Sequence, residues 1–579
     1  MKKGMKHRTF QDDIAPECGR VAVGVLAAVA GVCLGVGAGV VPAAAVAPTP
    51  GAGSSVAGAA VPAGLESFYG QTVEWYDCGA TGGMERSAEA TAFKCAKVKV
   101  PLDYSQPDGE TIEIAMKKHV ATGSIHRGSL FINPGGPGGS GVQYVEAAAE
   151  TIFAGVQGSY DIVGFDPRGV GDSTPITCDV DGEAVPDGAV PGAMGADDPL
   201  PGPISADAAG ADPTPFRDAQ DPIADGAATG DISFQALVDE IIRDFTQKES
   251  QCSDGTKPVG LLDHVDTVSV ARDLDVLRAL SGNEKLDYLG ASYGTYLGAY
   301  YAELFPANTG RMVLDGALDP SLSQYERRRG QAQGFEQALR NYVDWCQAGQ
   351  DCPLTGGTDA GVQQIVDLIA AADQTPVASS DPNRPVTGQE IQTIVLLYLR
   401  LSEGSWTVLN TALNQAINQN DASTFRVLAN ETLSQSMVDV GVFYGNTCLD
   451  YRVEGDMTTW AAQSQDLEKV APHFGTLYEG GDLTCQSWGH SGTQPPKALH
   501  AKGAAPILVI GTTGDPATPY EWSEALAEQL DSGQLLTWEG NGHTAYGNAG
   551  RGPCVANAVD TYLLTGAMPE KDLTCHGSE

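Results

Sequence analysis

Positive charge is scarce in this chain: of 579 residues, 34 are Lys or Arg and 73 are Asp or Glu, a formal net charge of −39. A polyanion would be repelled by the summed field of such a surface, so nucleic-acid binding is excluded as a function. CxxC pairs and Cys/His clusters with zinc-site spacing are missing, which leaves no metal centre to argue for. The Lys and Ser/Thr of a phosphate-binding loop are missing from its glycine-rich stretch, and no internal repeat is evident. Aromatic residues make up 7%, but a hydrophobic content of 42% is ordinary for a globular protein and enough for a large core.

Charge is also missing locally. No charged residue occurs from Val21 to Leu65, whereas Lys2, Lys3, Lys6, Arg8 and Arg20 precede that run. A basic leader, an apolar stretch and the small residues Ala45 to Ala47 have the layout of a secretory signal peptide over residues 1–47, with cleavage favoured over an uncleaved anchor. Residues 48–64, rich in Gly, Ala, Pro and Ser, read as a flexible tether. The mature protein is expected outside the cell, free or held at its surface, as a monomer with no stable membrane insertion. Ten cysteines follow the leader, and in an oxidising compartment they imply five disulfides, each closing a short loop between sequence neighbours.

Past the tether, FKCAKVKVPLDYSQPDGETIEIAMKKHV alternates apolar and polar residues around Gln106 to Gly109 and predicts an antiparallel hairpin. Short apolar runs then end in Gly- or Asp-containing loops: GSLFINPGG, YDIVGFDPRG, LDYLGASYG, GRMVLDGAL, APILVIGTTGD and QLLTWEGNGH. These predict buried parallel strands, and the helical stretches after several of them give an α/β class with a doubly wound sheet. From about residue 321 to 495 the period becomes helical, as in EIQTIVLLYLRL, which predicts a helical cap inserted between a first core segment (65–320) and a second (496–579). Between residues 179 and 230, eleven acidic residues and one Arg without periodicity predict a mobile surface insertion.

Gly290-Ala291-Ser292-Tyr293-Gly294 lies between the apolar LDYL and the helical TYLGAYYAELF. A strand that turns abruptly into a helix leaves its serine on a strained backbone, and glycines two residues away remove Cβ atoms that would clash. Ser292 is therefore the candidate nucleophile. It needs a base and a group that orients the base, and in this fold both follow the serine on later loops. His543 in GNGH, straight after QLLTWE, is the candidate base. Asp515 in GDP, after APILVIGTT, is the candidate acid, with Asp315 in VLDGALDP as competitor. Thr518-Pro519-Tyr520-Glu521 predicts a capping box opening the next helix. The glycines of Asn133 to Gly139 would let amide groups reach a substrate carbonyl, with the Tyr293 N–H as second donor.

NPGGPGGSG, FDPRGVGDS, GASYGTYLGAYYAELFP, VLDGALDP, GDPATP and GNGH in this order resemble the secreted tripeptidyl aminopeptidases of actinobacteria, relatives of the prolyl iminopeptidases in the α/β-hydrolase fold. The resemblance runs from about residue 75 to the end. It implies Ser292, Asp515 and His543 as a triad, Gly136 and Tyr293 as oxyanion donors, no cofactor or metal, and peptide substrates with a free amino terminus. Such substrates call for an anionic residue in the cap, for which Glu326, Glu403 and Asp450 are candidates. A carboxylesterase or lipase with the same triad, and a catalytically dead binding protein of this fold, are the competing readings.

Overall fold

The computed structural model describes residues 61–178, 234–435, 440–548 and 552–577. The expected leader and the whole of the acidic 179–230 insertion lie outside these residues. Ten strands form one sheet: β1 (Tyr76–Asp77), β2 (Phe93–Pro101), β3 (Thr111–His119), β4 (Ser129–Asn133), β5 (Asp161–Phe165), β6 (Leu286–Ala291), β7 (Thr309–Asp315), β8 (Ile507–Gly514), β9 (Gly533–Asn541) and β10 (Leu573–His576). Their spatial order is β1-β2-β3-β5-β4-β6-β7-β8-β9-β10. Strands β1 to β3 pair antiparallel, as does β3 with β5, and every pairing from β5 through β10 is parallel. This is the α/β-hydrolase architecture expected from the alternating runs. The two-residue β1 and the four-residue β10 are too short to announce themselves by periodicity.

Successive side chains of a strand point to opposite faces, and the two cores on either side of the sheet are built that way. Phe131, Met312, Leu314, Ile507 and Val509 belong to one cluster; Leu130, Ile132, Val313, Leu508 and Ile510 belong to the other. Burial on both faces explains why the central runs read as continuously apolar instead of alternating.

Helices connect the strands. Those the site uses are α1 (Gly141–Ala148), α2 (Thr267–Leu280), α3 (Tyr293–Leu304), α4 (Gln324–Ala348), α5 (Gly388–Arg400), α6 (Val440–Asp450) and α7 (Tyr520–Gln529). Between β7 and β8, the described residues from 324 to 488 form helices and the loops that join them, with a core of their own around Leu339, Tyr342, Leu399, Trp406 and Leu413. Among the described residues, five disulfides join sequence neighbours: Cys78–Cys95, Cys178–Cys252, Cys346–Cys352, Cys448–Cys485 and Cys554–Cys575. Among the described residues, no helix is long and apolar enough to cross a membrane.

Candidate active site

Ser292 stands between β6 and α3 with φ 58° and ψ −124°, a backbone conformation that L-residues avoid unless their surroundings enforce it. The surroundings are glycine. A Cβ on Gly290 would come within 2.2 Å of the Gly294 carbonyl, and one on Gly294 within 2.8 Å of the Asn133 carbonyl. The turn is fastened by the Ser292 amide donating to the Asp315 carbonyl at 2.8 Å and by the Tyr288 hydroxyl donating to the Gly294 carbonyl at 2.7 Å. Ser292 is 1% exposed.

The structure brings Ser292, His543 and Asp515 together. His543 Nε2 lies 2.6 Å from Ser292 Oγ, and its Nδ1 lies 2.9 Å from both carboxylate oxygens of Asp515. An ionised carboxylate only accepts, so the imidazole hydrogen sits on Nδ1 and Nε2 is left to accept the serine hydroxyl. Burial pushes the Asp515 carboxyl up, but the charge and hydrogen bond of His543 and the amides of Thr518 and Thr544 outweigh it and hold the group below its usual range. Asp315, the competing acid, accepts the amides of Ala545 and Tyr546 at 2.7 to 2.9 Å and so holds the turn just after the histidine.

Thr518, expected to cap the next helix, serves otherwise. Its hydroxyl donates to Asp515 Oδ2 at 3.1 Å and lies 3.3 Å from His543 Nδ1, and α7 begins after Pro519 with no side-chain cap. The chain folds back on Asp515, whose Oδ1 accepts the amides of Ala517 and Thr518, and this draws the threonine toward the carboxylate and away from the helix end. The His543 amide donates to the carbonyl of Arg400, the last residue of α5, at 2.6 Å. Neither contact had a signal in the linear sequence beyond the spacing of Asp515 and Thr518.

The glycine loop after β4 passes directly over the serine. A Cβ on Gly135 (φ 100°) would meet the Ala291 carbonyl at 2.7 Å, the Tyr293 amide nitrogen at 3.0 Å and Ser292 Cβ at 3.1 Å. Gly136 follows with φ 118°. Tyr293 is the first residue of α3, where an amide has no intrahelical acceptor. The FDPRG segment fixes the far end of the loop: Asp166 accepts the Ser140 hydroxyl at 2.6 Å and the Val142 amide at 3.0 Å at the start of α1.

The three cap carboxylates lie in different settings. Glu326 closes the capping box of α4 with Ser323. Glu403 accepts from the Asn541 side chain at 2.7 Å, two residues before His543. Asp450, at the end of α6, accepts the Thr267 amide at 2.8 Å, the Thr267 hydroxyl at 2.7 Å and the hydroxyl of Tyr293, the residue after Ser292. Burial raises its carboxyl to about 7 against those hydrogen bonds.

A family model described as TAP-like protein matches residues 471–575. The chain is similar to "Serine protease Hip1" of Mycobacterium tuberculosis, at 32% identity over 530 residues, with 88% of this chain and 92% of that one covered. It is 31% identical over 532 residues to "Tripeptidyl aminopeptidase" of Streptomyces lividans, covering 90% and 89%. "Carboxylesterase B" of Mycobacterium tuberculosis is 33% identical over 502 residues, covering 84% and 87%. The chain therefore belongs to the tripeptidyl-aminopeptidase-like (TAP-like) family of α/β-hydrolases and is a serine hydrolase.

Proposed function

We propose that the protein is an exported serine exopeptidase that releases tripeptides or similar short units from free peptide amino termini through an acyl-enzyme. The observation that carries this reading is the 2.6 Å contact between Ser292 Oγ and His543 Nε2, with Asp515 on the opposite ring nitrogen. His543 takes the serine proton as Oγ attacks the scissile carbonyl, the amides of Gly136 and Tyr293 receive the oxyanion, and His543 then protonates the leaving amine. A water activated the same way releases the acyl group. Asp450 and Glu403, near Tyr293 and His543 respectively, are the carboxylates we assign to the substrate amino group; Glu326 is occupied by its own helix. Five disulfides and the basic-apolar leader support export.

The test is hydrolysis of a tripeptide anilide with a free amino terminus, beside its acetylated form and a short-chain nitrophenyl ester. Activity on the free peptide that acetylation abolishes is expected. Hydrolysis of the ester alone would overturn the peptidase reading and favour an esterase, a second reading supported by the similarity to a chain named carboxylesterase.

A further inference from the structure

Helix α4 opens the helical segment with three consecutive arginines, 327 to 329. Arg329 lies at the surface, 2.6 Å from Asp466. Arg327 turns inward and is 9% exposed. Its guanidinium carbon lies 5.3 Å from the centre of the Tyr451 ring, its Nη1 donates to Gln331 Oε1 at 3.3 Å, and its Nε is buried with no hydrogen-bond partner among the described residues. Arg328 donates to the backbone carbonyls of Tyr478 and Glu479. Neither Arg327 nor Arg328 has a carboxylate within salt-bridge distance among the described residues.

A guanidinium keeps its proton at any accessible pH, so it cannot escape burial by neutralising, and buried charges are ordinarily paired. Three other buried arginines follow that rule. Arg168 is held by both oxygens of Asp273, Arg278 by Asp275 and Arg426 by Glu390. In a chain with 73 acidic residues, a carboxylate for Arg327 could have come from almost any neighbouring position.

The place of Arg327 supplies the reason. The Tyr451 ring beneath it stacks at 6.1 Å on Tyr296, which stacks at 5.6 Å on Tyr293, the residue following Ser292. On the other side, Gln331 holds the Arg327 fork and donates to the Ala517 carbonyl at 3.0 Å, two residues past Asp515. Arg327 is thus linked through Tyr451 and Tyr296 to the serine turn and through Gln331 to the loop of Asp515, with its Nε unused.

We propose that Arg327 is a specificity-determining residue that receives a carboxylate of the substrate, from an acidic side chain or from the chain terminus, on its unused Nε edge. This rests on the peptidase reading above. The expected preference is roughly ten- to hundred-fold, the worth of one charge-assisted hydrogen bond.

Two substrate pairs test it. The first is a set of tripeptide anilides carrying Glu or Gln at each position in turn; the second is a tetrapeptide as free acid or as terminal amide, followed by chromatography. The wild-type enzyme should favour the carboxylate form at least tenfold in kcat/KM, through KM, in one of the two pairs. In Arg327→Met that ratio should fall to within threefold of one, and Arg327→Lys should restore part of it. Ratios near one in both pairs, which need no variant to measure, would overturn the proposal, as would a ratio unchanged in Arg327→Met. If nitrophenyl butyrate is cleaved and no peptide is, the peptidase reading fails by itself. Inhibition of that ester hydrolysis by glutarate against its monoamide then reads Arg327, with at least tenfold stronger inhibition by glutarate expected and equal inhibition overturning it.

Discussion

Replacing Gly135 by Ala puts one methyl group against the nucleophile turn. The new Cβ would lie 2.7 Å from the Ala291 carbonyl, about 0.7 Å inside ordinary contact at 3.4 Å, and 3.0 and 3.1 Å from the Tyr293 nitrogen and Ser292 Cβ. All three neighbours are backbone or rigidly held, so the loop after β4 and the serine turn must separate. The positive φ of 100° adds about 1–2 kcal/mol for any L side chain, and overpacking about 1–3 kcal/mol more. A displacement approaching 1 Å between the proposed oxyanion donors and the proposed nucleophile Ser292 would lower turnover about 100-fold. Gly282 is the control, because its φ is 78° with nothing within 4 Å of an added Cβ. Gly282→Ala should lose about 1–2 kcal/mol in thermal or urea melts and keep full kcat. The assay is steady-state hydrolysis of a nitrophenyl ester, which depends on serine and oxyanion donors but not on peptide recognition. Gly135→Ala with kcat within threefold of wild type would refute the close approach of this loop to Ser292.

Asp515→Asn should lower kcat by about 10⁴ by favouring the wrong imidazole tautomer, whereas Asp315→Asn should chiefly lower the melting temperature; equal losses of kcat would refute the division between them. The Asp450 carboxyl is raised to about 7 in the folded protein, so the folded state binds more protons than the unfolded one between about pH 4 and 7, and stability from this group falls as pH rises through that window. Asp450→Asn should flatten that part of the stability profile in melts taken from pH 4 to 8, and an unchanged slope would count against it. Breaking Cys178–Cys252, 74 residues apart, should cost about 4 kcal/mol, and breaking Cys346–Cys352, 6 apart, about 2 kcal/mol on chain-entropy grounds; denaturant titration of the two double-Ser variants gives the ranking.

The strand runs and the serine turn were legible in the sequence because each is local: a strand needs only its own apolar residues, and Gly290 and Gly294 serve Ser292 from two positions away. His543 and Asp515 could be named because each ends such a strand. Gly135 could not be singled out from its neighbours, since what excludes a side chain there is backbone from β6, some 155 residues later. The role of Thr518 is hidden for a related reason: its spacing to Glu521 fits a cap, but once the loop folds its hydroxyl donates to the Asp515 carboxylate instead. Arg327 carries no linear signal at all. Its sequence neighbours Arg328 and Arg329 have the same charge, and only packing shows that Arg329 meets an acid, Arg328 meets backbone carbonyls and the Arg327 Nε meets neither.

The bond from the His543 amide to the Arg400 carbonyl bears on how such enzymes can be recombined. The helices between β7 and β8 are fastened to the chain at His543 itself, so they are part of what holds its ring in register with Ser292. A chimera that grafted a relative's helices onto this sheet would have to reproduce the end of α5 to within a hydrogen-bond length before any question of altered selectivity arose. Exchanges whose junctions leave Gly388–Arg400 in place preserve that fastening and can vary the remaining helices around it.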